Sequence, residues 1–316
     1  MIVHYTLSIL LLIFTALSSL RLSAWWVKMW DAGRMQLAFF LGVLLIIGFI
    51  YFDYYQTLQY VLLFLLSSAI VYHLWIIFPF TPLHRVEVKR TDNRNLTLRM
   101  LTCNVRMSNR KTDKTLDLIQ QKNPDLVLLT EVDFWWLDQL LVLEKEYPHT
   151  VLQGQDNTYG IALYSKFPLE DAQVKFLVEK DIPSIHAIIK LKEERIQFIG
   201  LHPRPPAPWT KEENKDIELI KVASSTNYNL LPSIITGDLN DVGWSKITKA
   251  FKVISGLKDP RIGRGLFNTY NANIPFFRYP VDHFFVSKQF KLREIKRLPH
   301  VGSDHFPVLL EVNLEG

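Results

Sequence analysis

The polarity of the chain changes abruptly near residue 80. Before that point His4–Leu20, Leu37–Phe52 and Leu58–Phe80 contain no Asp, Glu, Lys or Arg. A bilayer core takes about 20 apolar helical residues at ~1.5 Å rise each. The third stretch meets that length alone, and the first two reach it with Ile2 and Tyr54 or by local thinning of the bilayer. Buried helices of a soluble core are the competing reading, but three charge-free runs within 80 residues suit it poorly. The pattern therefore predicts three transmembrane helices, at about 2–20, 37–54 and 58–80. His73 lies in the third, either as a satisfied interfacial histidine or as a functional intramembrane group.

Beyond Pro79 and Pro82 the pattern shortens. A basic linker over 81–95 leads into β-rich runs separated by turn signals. The strand candidates are LTLRMLTCNV, DLVLLTE, GIALYS, HAIIKL, RIQFIGLH, SIITGDLN, VDHFFVS and FPVLLEVNL. Helix periodicity appears over Thr112–Lys122, stopped by Asn123-Pro124, and over Phe134–Tyr147 and Lys211–Asn227. About 220 residues (96–316) with this many strands suit an α+β fold of two packed sheets with helices outside. There is no internal repeat.

Basic residues near helix ends set orientation. Arg21, Lys28 and Arg34 lie between the first two spans, and Arg85, Lys89, Arg90 and Arg94 follow the third, whereas the N-terminus and Asp53–Thr57 have no Lys or Arg. Three spans put both basic segments on one side, predicted to be cytoplasmic together with the C-terminal domain. Cleavage of the first run as a signal peptide would reverse this, but a basic segment ahead of it is missing.

Composition narrows the chemistry. With 13% aromatic residues the chain can build a core and is not disordered. Its single cysteine, Cys103, excludes an internal disulfide framework and a thiolate zinc cluster. The net charge of +5 leaves acidic partners open without demanding nucleic acid.

Polar residues fall in an informative place. Apolar strand candidates end in Asn104, Glu131, His202, Asp238 with Asn240, Asp282, and Asp304 with His305. Strand ends present side chains to clefts. Singly each has a plain structural reading: Asp238 as a turn residue, Glu131 as an acid at a helix start, His202 as a structural histidine. Jointly, acids, amides and histidines at so many strand ends point to a site.

In order, LTCNV, LLTEVD, GIALYSK, LHP, TGDLND, VDHFFVS and GSDHFPV resemble the motif series of the endonuclease/exonuclease/phosphatase superfamily, over about Leu96 to Val312. The resemblance implies a deoxyribonuclease-I-like four-layer α/β/β/α sandwich and hydrolysis of phosphate esters with Mg²⁺, or Mn²⁺ in its place. It implies a metal held by Asn104, Glu131 and Asp304, hard oxygen donors of the kind magnesium prefers. Asp238 matches the family's general base, and Asn240 an orienting amide pointing the same way from extended backbone. His305 with Asp282 matches the histidine–carboxylate pair, and His202 a phosphate contact. A membrane-anchored member of bacterial type would sit in the inner or plasma membrane. An inactive, membrane-anchored binding protein that retains the fold is the alternative.

Two positions depart from the family. Arg106 stands where some members carry a second metal-holding acid. Pro280 stands where a basic residue often precedes the VDH motif, with Arg278 two positions earlier. The substrate stays open between nucleic acid, favoured slightly by the family, a lipid phosphate head group and a small soluble ester. Arg85–Arg99 suits anionic lipid as well as topology, and Lys288–Arg297 reads as solvated surface or a nucleic-acid track. Phe276 and Phe277, between two motifs, are a buried anchor, a bilayer-interface insertion or a base-stacking pair. Trp209 follows a Pro-rich segment beyond His202. Besides substrate and bilayer, no protein partner is expected.

Overall fold

The computed structural model of the protein describes residues 1–20, 24–52, 56–206, 212–225 and 230–315. Arg21, Asp53, Tyr54, Trp209, Lys211 and Asn227 lie outside them. Three apolar helices, α1 (Ile2–Ser19), α3 (Arg34–Tyr51) and α4 (Thr57–Ile77, continued as a 3₁₀ turn to Phe80), are each long and apolar enough to cross a membrane. A short helix, α2 (Trp25–Ala32), was not expected from the pattern.

The second span begins at Arg34, three residues earlier than predicted. The cause is local pairing. Arg34 Nε donates to Asp31 Oδ1 at 2.6 Å and its Nη2 donates to the Ser18 carbonyl at 2.8 Å, so a charged residue starts the helix paired and buried. His73 is buried against the same cluster, 3.0 Å from Thr15 Oγ1 and 3.4 Å from Arg34 Nη1. It is the satisfied histidine of the two readings.

The remainder forms two packed sheets. The first runs β10 (Phe290–Arg297), β11 (Val308–Leu314), β1 (Thr97–Asn104), β2 (Leu126–Thr130), β4 (Ile161–Ser165), β3 (His149–Gln153). The second runs β5 (Leu169–Lys175), β6 (Ser184–Leu191), β7 (Glu194–Leu201), β8 (Ser233–Asp238), β9 (Asp282–Val286). Period-2 alternation sorts side chains between faces. In β1, Leu98 and Met100 face the other sheet and meet Phe198, Ile234 and Phe284, while Leu101 and Cys103 face outward to α5 (Thr112–Lys122) and α6 (Phe134–Leu140). On the far side Leu219 of α7 (Glu212–Ala223) and Phe251 of α8 (Lys246–Ser255) cover the second sheet. The result is the four-layer α/β/β/α sandwich that the sequence predicts.

Three segments add detail to the sequence expectation. The helix expected over Phe134–Tyr147 stops at Leu140 and continues as a 3₁₀ turn to Lys145. The stretch Lys288–Arg297 is a strand, β10, whose Phe290 and Leu292 enter the core while Lys291 and Arg293 face out. The linker is not loose. Thr91 N donates to the Leu292 carbonyl at 3.0 Å, and Glu87 takes 2.7 Å and 2.9 Å hydrogen bonds from Lys252 Nζ and Asp259 N.

Helices and sandwich meet at a packed junction. Phe80 lies edge-on to Trp244, whose Nε1 donates to the Asp31 carbonyl at 2.8 Å. Gly243 makes room there, since a Cβ would come within 2.7 Å of the Phe80 ring. Lys246 Nζ donates to the Ser19 and Leu20 carbonyls at the end of α1, and Lys28 pairs with Asp216 at 3.0 Å.

Candidate active site

Strand direction gathers the polar residues. β1 and β2 are a parallel pair in one sheet, β7 and β8 in the other, so Asn104, Glu131, His202 and Asp238 all lie at C-terminal strand ends. β11 runs antiparallel to β1, with Thr102 opposite Val308, which brings Asp304 and His305 to the same edge. β9 runs antiparallel to β8, with Asp238 opposite Asp282. Gly237 lets β7 and β8 approach, at φ +143° and with no room for a Cβ, which would lie 1.9 Å from the Leu201 carbonyl.

Asp238 is the hub, 1% exposed. Its Oδ2 accepts from Asn104 Nδ2 at 3.0 Å and lies 3.7 Å from His202 Nε2 and 3.6 Å from His305 Nε2. Its Oδ1 accepts from Asn240 N at 2.9 Å. Asn104 Nδ2 also donates to Glu131 Oε1 at 2.9 Å, tying the two sheets together across the site. The other Glu131 oxygen accepts from Met107 N at 3.1 Å, and Asn104 Oδ1 accepts from Arg106 N at 2.9 Å.

His305 is fixed through its other nitrogen, with Nδ1 2.9 Å from Asp282 Oδ2. Burial alone would lower its pKa. The facing carboxylates of Asp282 and Asp238 outweigh that and push it up to about 10, so the ring is an imidazolium at neutral pH. His202 is 2% exposed, and its Nδ1 has no hydrogen-bond partner among the described residues.

The seven predicted strand-end positions thus share one edge, with Asn240 beside them. One expectation about Asn240 is corrected. The strand ends at Asp238, and Asn240 sits in the left-handed region at φ +51°, so it does not share the face of Asp238 from extended backbone. The turn is set by the Asp238 carboxylate accepting from Asn240 N, while Asn240 Nδ2 donates to the Pro203 carbonyl at 2.9 Å. Arg106 reaches the rim, its Nε 3.8 Å from Asp304 Oδ2.

The sequence pattern missed the supports. The Tyr270 ring centroid is 5.0 Å from that of His305. Behind β9, Arg261 is 1% exposed, pairs with Asp259 at 2.7 Å and approaches His283 Nδ1 at 2.6 Å. Burial first, and then Arg261, lower the His283 pKa to about 3. Neutral His283 Nε2 therefore donates to the Asp241 carbonyl at 2.8 Å, pinning the loop after Asp238. No local pattern in the sequence marks Arg261, and its burial reveals the role.

Four carboxylates, Glu131, Asp238, Asp282 and Asp304, face two histidines and one exposed guanidinium. The donor set is oxygen-rich. Cys103 Sγ is buried beneath it, 3.4 Å from the Asn104 carbonyl. Asp238, Asp282 and His305 place ligand atoms within 4.8 Å of one another. The Glu131 carboxylate, hydrogen-bonded to Asn104 Nδ2, adds a further oxygen donor at this edge.

Among curated proteins none matches the chain by sequence. Solved structures match its fold. Zebrafish (D. rerio) TDP2 complexed with a single-strand DNA product is 13% identical, over 69% of this chain and 99% of that one, with a TM-score of 0.57. The endonuclease/exonuclease/phosphatase from Beutenbergia cavernae is 17% identical, over 70% and 72%, with a TM-score of 0.55. The human Nocturnin catalytic domain with bound sulfate is 16% identical, over 73% and 97%, with a TM-score of 0.55. The sequence model of one family spans residues 101–305, from β1 through His305, the stretch that supplies every residue gathered at this edge. On that match the chain belongs to the Endonuclease/Exonuclease/phosphatase family.

Proposed function

We propose that this hydrolase of ester bonds is a Mg²⁺-dependent phosphodiesterase or phosphatase whose chemistry centres on Asp238. The observation that carries the reading is the environment of that carboxylate. It is buried, oriented by Asn104 and the Asn240 amide, and set between two histidines.

Asp238 takes the proton of the attacking water, and Asn240 orients that water or the phosphate. His305 presents its Nε2 proton to a phosphoryl oxygen, held by Asp282. His202 contacts the phosphate from the other side, and Arg106 adds positive charge at the rim. Glu131, Asp304 and the Asn104 side-chain carbonyl would hold the cation, which would supply Lewis-acid polarisation of the phosphoryl oxygen and offset charge built up in the reaction, with Mn²⁺ as a substitute. The polar set is complete, which argues for an enzyme over a retained but inactive fold.

Residues 1–80 act as a three-span membrane anchor, 81–95 as a basic linker and 96–316 as the catalytic domain, which faces the cytoplasm of a bacterial inner or plasma membrane. The polar Ser18–Arg34 cluster and Lys246 at the helix ends support that division. A reporter fused after residue 316 is expected to signal from inside the cell, and an external signal overturns the orientation.

The central test uses the purified full chain, DNA, RNA, phospholipid, inositol phosphates and bis(p-nitrophenyl) phosphate, with and without chelator. Hydrolysis that chelator abolishes and Asp238→Ala eliminates is expected. Wild-type turnover in that variant removes Asp238 from its role.

A further inference from the structure

The loop Asn271–Tyr279 joins the catalytic cleft to a membrane span. Its base rests on the site: Ala272 N donates to the Asp304 carbonyl at 2.7 Å, and Tyr270 bridges to His305. Its tip rests on α3. The Phe276 ring lies 5.4 Å from Phe39 and 5.7 Å from Phe40, centroid to centroid, and Gln36 Nε2 donates to the Phe276 carbonyl at 2.6 Å.

Depth follows from helix geometry. Arg34, at the start of α3, is level with the end of α1 through its bond to the Ser18 carbonyl. Phe39 and Phe40 come five and six residues later, about 8 Å further along the span at ~1.5 Å per residue. Interfacial apolar groups sit roughly 5–10 Å into the boundary between head groups and acyl chains. Ile274, Phe276 and Phe277 remain 48%, 42% and 46% exposed, an apolar tip that the protein itself leaves uncovered. Of the three readings of Phe276 and Phe277, a fully buried anchor does not fit this exposure. The loop after Asp238 meets the helices as well, with Trp244 and Gly243 against Phe80. The exposed Trp25, Trp26 and Met29 of α2 lie on the same side of the spans.

We propose that the Ile274–Phe277 tip inserts into the bilayer and seats the cleft on its surface, and that the substrate is a phospholipid whose head-group phosphate enters from the membrane. This rests on the phosphoester-hydrolase reading above. One P–O ester bond breaks as a P–O bond to the oxygen of water forms. Asp238 takes one proton of that water and returns it to the departing oxygen, which leaves as the alcohol, while the other proton stays on the new phosphate oxygen.

The test uses the full chain in nanodiscs of phosphatidylethanolamine, phosphatidylglycerol and cardiolipin with Mg²⁺. Phe277→Cys carries an environment-sensitive dye, for which Cys103, 1% exposed, does not compete. Nitroxide on the lipid acyl chain should quench the dye and aqueous iodide should not, and the reverse pattern overturns the insertion. Mass spectrometry of the disc lipids should show cleavage by the wild type and none by Asp238→Ala. Replacing Ile274, Phe276 and Phe277 together with Ser should lower lipid cleavage at least tenfold, with recovery when Phe276 and Phe277 are Leu instead. A chain that hydrolyses bis(p-nitrophenyl) phosphate but no disc lipid overturns this inference alone. A chain that hydrolyses neither overturns the enzymatic reading as well.

Discussion

Asp282→Asn isolates the histidine–carboxylate pair with little change in volume. Asp282 is 4% exposed, as is His305, and the two are joined at 2.9 Å. A buried hydrogen bond to a charged group contributes about 1.5–3 kcal/mol, and each 1.36 kcal/mol in a barrier is a tenfold change in rate. If the pair acts when charge builds on the phosphate, turnover should fall roughly 10- to 150-fold with KM within about threefold, the signature of an interaction made in the transition state. The assay is steady-state hydrolysis of bis(p-nitrophenyl) phosphate at saturating Mg²⁺, beside a thermal melt to confirm an intact fold. Wild-type kcat in the variant refutes the pairing argument. So does a loss confined to KM, which would mean that the pair only holds substrate in the ground state.

Glu131→Gln removes one carboxylate from the oxygen-rich side and should raise the Mg²⁺ concentration for half-maximal activity. An unchanged metal titration excludes Glu131 as a ligand. Glu218 of α7 is 4% exposed, and its Oε1 has no partner among the described residues. Burial, and then Glu179, push its pKa up to about 8. The folded state thus favours the neutral acid, so the contribution of Glu218 to stability is full below the ordinary carboxyl value of 4.5 and is lost as pH rises from there through about 8. Glu218→Gln should flatten that slope and raise the melting temperature by several degrees at pH 8, where parallel melting curves would contradict the argument.

The legibility of the fold tracked burial. All eight segments read as strands from their apolar pattern are strands. The unread strands β3, β5 and β10 are all sheet edges. An edge strand need not be apolar on both faces, and Leu169–Lys175 carries Glu170, Asp171 and Lys175. The gathered site was legible because its residues flank strands with strongly apolar runs, and Asn104, Glu131, His202 and Asp238 mark sharp breaks at the ends of central strands. Tyr270, Arg261 and His283 were not legible, since irregular loops carry no period and long-range pairs leave no local mark. The same holds for Arg34, whose partners Asp31, Ser18 and His73 come from three other helices.

Asn104 spans the seam of the sandwich, holding Glu131 on one slab and Asp238 on the other through a single amide nitrogen. Reactivity is thereby a caliper of slab thickness. Shaving methylenes from Leu128 or Phe284, deep in the filling and remote from any phosphate, lets the slabs settle closer by a fraction of an ångström. Leu128→Ala or Phe284→Leu is therefore expected to lower turnover together with the melting temperature, and wild-type turnover at a lowered melting temperature would sever that link.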